Sequence, residues 1–139
     1  MKTKIVSLVL ALTLMFTFSV PAFAKTASGP SGDIHIMLIN TDDATSMVSF
    51  NGDCADCSAI IHAKTGTTKI AMTGVLKRVT DNGTTTVKSW TKTVNGETLT
   101  FDKNWYVASG YDYEFEVLAK VYRNGTMEAI SVTDSAHCG

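Results

Sequence analysis

The sequence predicts an all-β protein of short antiparallel strands, and three observations carry that reading. The first is residues 110–133, where Tyr111, Tyr113, Phe115, Val117, Ala119 and Val121 alternate with Asp112, Glu114, Glu116, Lys120 and Tyr122. Successive strand residues point to opposite faces, so a period of two describes a half-buried strand, whereas a helix would scatter these charges all round. The second is the set of four Asn-Gly pairs, at 51–52, 82–83, 95–96 and 124–125, each offering the positive-φ positions that two-residue hairpin loops demand. The third is that no stretch keeps a helical period for more than a turn or two, in a chain rich in Thr, Val and aromatics with only two prolines. Counting outward from Asn124-Gly125 sets Ala119 opposite Ile130 and Val117 opposite Val132. The apolar residues of the returning strand thus meet the apolar face of the first, an independent check on the register.

From the start of the chain, residues 1–24 read as a signal peptide. Lys2 and Lys4 form a basic region, residues 5–20 are an apolar run, and Ala22-Phe23-Ala24 places small residues at the positions signal peptidase requires. Cleavage after Ala24 is expected, with no cysteine following it to take a lipid and no later stretch apolar enough for a membrane helix. The product is expected to be secreted, without membrane insertion once the signal is removed.

The remaining 115 of 139 residues suit one domain with a real core. Discounting Lys2 and Lys4, ten Lys and Arg stand against 13 Asp and Glu. That negative balance, without a basic patch, disfavours nucleic acid as a partner. Residues 25–32, of small and turn-forming type, read as a flexible leader, and residues 33–139 as the β domain.

Within the domain, Ile34, Ile36 and Leu38 alternate with His35, Met37 and Ile39, as in a strand near the core with two apolar faces. Further strands are expected at 45–50, 58–63, 68–79 and 86–94, before the hairpin at 110–133. Counting from Asn95-Gly96 sets Trp90 opposite Phe101 and Lys92 opposite Leu99, and counting from Asn82-Gly83 sets Trp90 opposite Val75. Three strands would then bring Val75, Trp90 and Phe101 side by side. Trp90 reads as a core residue with Lys88 and Lys92 lying along the surface by their stems. The competing reading is an exposed stacking platform for a sugar, and Trp105 and Tyr106 share that ambiguity.

Val107-Ala108-Ser109-Gly110, followed by Tyr113, Phe115, Val117 and Ala119, resembles the corner and following strand of immunoglobulin and fibronectin-type-III sandwiches, with Trp90 on a middle strand adding to the match. Ser109 stands where those domains usually carry proline, and the inter-sheet disulfide of antibody domains is absent. The resemblance implies an immunoglobulin-like antiparallel β-sandwich of about seven short strands. More narrowly, Cys57-Ser58-Ala59, residues 66–70, 87–96 and 121–125 and the near-terminal Cys138 are similar to small exported proteins of Gram-positive bacteria. That likeness covers roughly the last 85 residues. It implies fold and export, and no activity.

Cys54, Cys57 and Cys138 are an odd set for an oxidising compartment. In an immunoglobulin-like sandwich the start of the second strand and the end of the last lie at one end, which favours a Cys57–Cys138 disulfide with Cys54 as an alternative partner. Such a bond would close a loop of about 80 residues, worth on the order of 4 kcal/mol if strain-free. A second reading assembles Cys54, Cys57, His137 and Cys138 into a Cys₃His zinc site, which needs four ligands converging at about 2.0–2.3 Å. A redox role for Cys54-Ala55-Asp56-Cys57 fits less well, because Asp53 and Asp56 would raise the thiol pKa.

Catalytic patterns are thin. The chain has no Gly-x-Ser-x-Gly elbow, phosphate loop, His-Glu-x-x-His helix or EF-hand spacing. His35 and His62 read as structural, and Asp112, Glu114 and Glu116 as a solvated strand face. The expectation is a non-catalytic binding or structural module without a cofactor, engaging a protein or glycan outside the cell. Its expected contact face groups Leu118, Lys120, Tyr122 and Met127 on the outer side of the 110–133 hairpin.

Overall fold

The computed structural model describes residues 38–139; the expected signal peptide, the expected leader and the first part of the expected 34–39 strand lie outside these residues. Leu38 and Ile39, the described remainder of that expected strand, are not in one. Seven strands follow: β1 (Thr41–Asn51), β2 (Cys54–Ala63), β3 (Thr67–Thr80), β4 (Gly83–Val94), β5 (Thr98–Tyr106), β6 (Tyr111–Arg123) and β7 (Thr126–Cys138). They form an antiparallel sheet in the order β1-β2-β5 and a second in the order β4-β3-β6-β7. All-β sandwich is thus the observed class.

The β6–β7 hairpin forms as counted. Asn124 and Gly125 take φ of 49° and 75°, as a type I′ loop needs, and Ala119 pairs with Ile130 and Val117 with Val132. Tyr113, Phe115, Val117, Ala119 and Val121 are buried between the sheets. Tyr111 is the exception to that apolar run. It remains partly exposed, with the Arg78 guanidinium 4.7 Å from its ring centre.

The Asn95-Gly96 hairpin is not formed. β4 and β5 lie in different sheets, so Lys92–Leu99 and Trp90–Phe101 are not cross-strand pairs. Asn95 is not among the positive-φ residues, which rules out the type I′ loop. Instead the segment crosses between sheets, with Gly96 N–H donating to the Thr68 carbonyl at 3.2 Å and Ala63 N–H to that of Glu97 at 2.7 Å. Trp90 still meets Phe101, but through the core, with ring centres 5.8 Å apart.

Trp90 also pairs with Gly74 rather than Val75. The β3–β4 loop is Asp81-Asn82, with Gly83 at φ 118° pairing Thr80, one residue earlier than counted. A register shift between Leu76 and Lys77 then leaves Val87 as an extra residue on β4. Loop and bulge together move the pairing by one residue, and one residue exchanges the faces. Trp90 is therefore turned inward, onto Phe101 and Phe115.

The two open seams of the sandwich are closed by side chains of opposite charge. Along β1 and β7, the Glu128 carboxylate accepts from Ile39 N–H at 2.6 Å, Asn40 N–H at 3.0 Å and the Thr41 hydroxyl at 2.7 Å. Asp134 accepts from Val48 N–H at 2.9 Å. Along β4 and β5, Lys92 donates to the Thr100 carbonyl at 2.6 Å and the Lys88 ammonium sits 4.3 Å from the Trp105 ring centre. Inward-leaning lysines and a bulge guard such edges against pairing with another chain.

At the corner before β6, the Tyr113 hydroxyl donates to the Ala108 carbonyl at 2.6 Å, the tyrosine corner of sandwich domains. Gly110, at φ 85°, donates to the Cys138 carbonyl at 2.7 Å. Tyr113→Phe keeps the buried ring and removes only the hydroxyl that serves Ala108. It is expected to cost about 1–3 kcal/mol in urea unfolding. A neutral result would mean the corner is held by the Gly110 bond alone.

Candidate functional site

The outer face of the four-stranded sheet is a grid that can be written from the pairing. Lys69, Tyr122 and Met127 form one row across β3, β6 and β7; Ala71, Lys120 and Ala129 form the next, and Thr73, Leu118 and Ser131 the third. On β4, Thr93 and Thr91 extend the second and third rows. The residues expected at the contact face therefore share one surface: Leu118 and Tyr122 are half-buried, Lys120 is exposed, and Met127 keeps 51% of its area accessible.

Beside them is a shallow trough of about 400 Å³ lined by Ala71, Thr73, Thr91, Thr93, Leu118 and Lys120, among others. Its floor is low because β3 contributes Ala71 and Thr73 there. The Lys69 ammonium sits 4.2 Å from the Tyr122 ring centre, a cation–π contact that holds the ring in place. Lys69 escaped the sequence reading because its neighbour lies 53 residues away, across a pairing that no local turn announces.

The same face is charge-paired toward its other end. Lys77 bonds Glu116 and lies 4.0 Å from Glu114, and His137 Nδ1 is 2.7 Å from Asp112 Oδ1. In the carboxylate row 112–114–116, Glu114 and Glu116 thus face the Lys77 ammonium on β3 and Asp112 is in contact with His137 on β7. No catalytic pair is formed by it.

The cysteines do not converge. All three are unpaired, so the expected Cys57–Cys138 disulfide is not formed, and the register gives the reason. Cys57 pairs with Val48, whose N–H bonds Asp134, whereas the Cys138 thiol lies 3.6 Å from the Gly52 carbonyl. The two are thus offset by four residues along parallel neighbours, roughly 13 Å at the strand rise. Bridged cysteines stand within about 7 Å between Cα atoms. The alternative partner, Cys54, is level with Cys138 but on the outer side of β2, opposite in parity to the buried Ala55 and Cys57.

That parity also scatters the zinc reading: Cys54 faces outward on β2, Cys57 inward, Cys138 into the sandwich and His137 onto the far sheet's outer face. Among the described residues no group of three or more His, Cys, Asp or Glu is placed to hold a metal ion. Burial, with Asp56 and Asp102 adding to it, pushes the Cys57 thiol from 9.0 up to about 12. Burial first, then Asp53, raises Cys138 as well. Neither is a poised nucleophile.

The aromatic candidates divide. Trp90 is half-buried and packs against the core cluster, in agreement with its reading as an inward-facing residue. Trp105 remains 41% exposed beneath Lys88, and Tyr106 is 78% exposed on the outer face of the three-stranded sheet. His62 points outward, 3.4 Å from the Thr98 hydroxyl.

No family model matches the chain, and no curated protein does. Among solved structures it is similar to the solution structure of CsgH from R. palustris, at 11% identity and a TM-score of 0.42 over 65% of this chain and 87% of that one. It is also similar to Spo0M, a sporulation control protein from Bacillus subtilis, at 13% identity and TM-score 0.37 over 71% of this chain and 48% of the other. A glycosyl hydrolase family 2 member from Bacteroides cellulosilyticus matches at 17% and 0.38 over 66% of this chain and 14% of its own length. No residue role follows from these likenesses.

Proposed function

We propose that the chain is an exported, non-catalytic binding module whose contact surface is the outer face of β6 and β7 around Leu118, Lys120, Tyr122 and Met127. The observation that supports this reading is the grouping of a half-buried Tyr, an accessible Met and an accessible Lys beside a shallow trough whose other lining side chains are mostly Thr and Ala. An aromatic side chain provides contact area at low conformational cost, a Met adapts its shape to what it meets, and lysine supplies charge that selects among partners. Its partner is a protein or glycan met outside the cell.

The test is binding to arrays of extracellular polysaccharides, peptides and the chain itself, comparing wild type with Tyr122→Ala. The variant is expected to lose about tenfold or more in affinity, as contact residues at the centre of an interface do. Its melting temperature should stay within a few degrees, since Tyr122 lies outside the core. Equal binding by both proteins would sink the proposal.

A further inference from the structure

Resting on that reading, we propose that the partner engaged by the Tyr122 face is a second copy of this chain, presenting the outer face of its three-stranded sheet. The outer face of the three-stranded sheet and the Tyr122 end of the four-stranded sheet's outer face are complementary in charge and in spacing; the carboxylates Asp112, Glu114 and Glu116 lie toward the other end. On the three-stranded sheet the outward residues include Asp43, Asp56 and Asp102, and no Lys or Arg occupies an outward paired position. On the four-stranded sheet, Lys69 and Lys120 flank Tyr122. None of Asp56, Asp102, Lys69 and Lys120 belongs to an ion pair among the described residues.

The spacing matches because both pairs are diagonal neighbours. Asp102 pairs with Ser58, two residues from Asp56, and Lys120 pairs with Ala71, two residues from Lys69. Diagonal positions across antiparallel strands stand about 7–8 Å apart, so two lysines can meet two aspartates at once. Exposed apolar residues lie beside each set. Met47 shares the Asp102 row and Ile60 lies in the next, at 58% and 39% exposure, while Met127 shares the row of Lys69 and Tyr122.

Joining two different faces is a heterologous contact, so every added copy leaves one face of each kind open and the assembly grows head to tail. The contact rests on a few charged and apolar side chains rather than on a broad apolar patch, and exposed ion pairs contribute little each. The association is therefore weak, concentration-dependent and sensitive to salt.

The test is sedimentation velocity of the exported chain across a concentration series at low and high salt, with Lys120→Asp and Asp102→Lys, alone and mixed. All three proteins are first checked for equal melting temperatures, since both positions are exposed. Wild type is expected to gain mass with concentration at low salt and return to monomer at high salt. Each variant alone should associate about tenfold or more weakly. Their mixture should recover association, because the intact acidic face of one meets the intact Lys69–Lys120 end of the other. A wild type that stays monomeric at low salt, or a Lys120→Asp that associates like wild type, overturns the inference. If wild type is monomeric yet Tyr122→Ala still loses an array ligand, the binding-module reading stands and only the self-partner fails.

Discussion

Phe115→Ala is expected to lower the stability of the protein by about 3–5 kcal/mol, the range for emptying a buried aromatic site. The ring is fully buried at the centre of β6. It stacks on Phe101 of the other sheet at 5.9 Å with 18° between planes, and meets the edge of Trp90 at 6.4 Å. Three rings from three strands thus join the sheets. Gly74 makes room for the cluster: a Cβ there would stand 2.9 Å from two atoms of the Phe115 ring. Gly74→Ala is therefore destabilising by overpacking, about 1–3 kcal/mol, because Phe101 blocks the ring's retreat. The two changes are coupled, so the Gly74→Ala, Phe115→Leu double variant should cost less than the sum of its singles. Urea unfolding measures all of these. A cost below about 1 kcal/mol for Phe115→Ala would mean the sheets are joined elsewhere.

Native alkylation at mildly alkaline pH is expected to modify Cys54 alone, with all three thiols reacting only after unfolding. Cys57 and Cys138 are fully buried and their thiols are raised, so both access and thiolate are lacking. The pH dependence has a definite sign. The unfolded thiol ionises above about 9.0 while the folded Cys57 holds its proton to about 12. Its contribution is therefore fully present below 9.0 and is lost as the pH rises between these values. Mass spectrometry after capping, with and without reduction, counts the thiols. One capped thiol in the unfolded protein, with the mass of two hydrogens gained on reduction, would mean that a disulfide forms despite the register.

Most of the β6–β7 hairpin was legible because everything that sets it is local. Alternation over 110–122 assigns the buried face, and Asn124-Gly125 can adopt two positive φ angles in succession, which sets the pairing on both sides. The same dipeptide misled at 95–96. Loop chemistry permits a hairpin but does not compel one, and here the better burial comes from placing Leu99 and Phe101 under one sheet and Trp90 under the other. The Trp90 register failed for a second reason. A loop one residue early shifts the pairing by two and keeps the faces, while the extra Val87 shifts it back by one and exchanges them, and the residue types barely signal either.

By itself, then, the sequence determined the all-β class, the buried side of β6 and the grouping of Leu118, Lys120, Tyr122 and Met127, because each depends on alternation and turn geometry that are local in the chain. Only the tertiary structure decided which strands share a sheet, that Lys69 covers Tyr122, that Gly74 receives the Phe115 ring, and that Cys57 and Cys138 are offset along their strands. These are contacts between segments distant in the chain, chosen by how the whole core packs, and no local period records them.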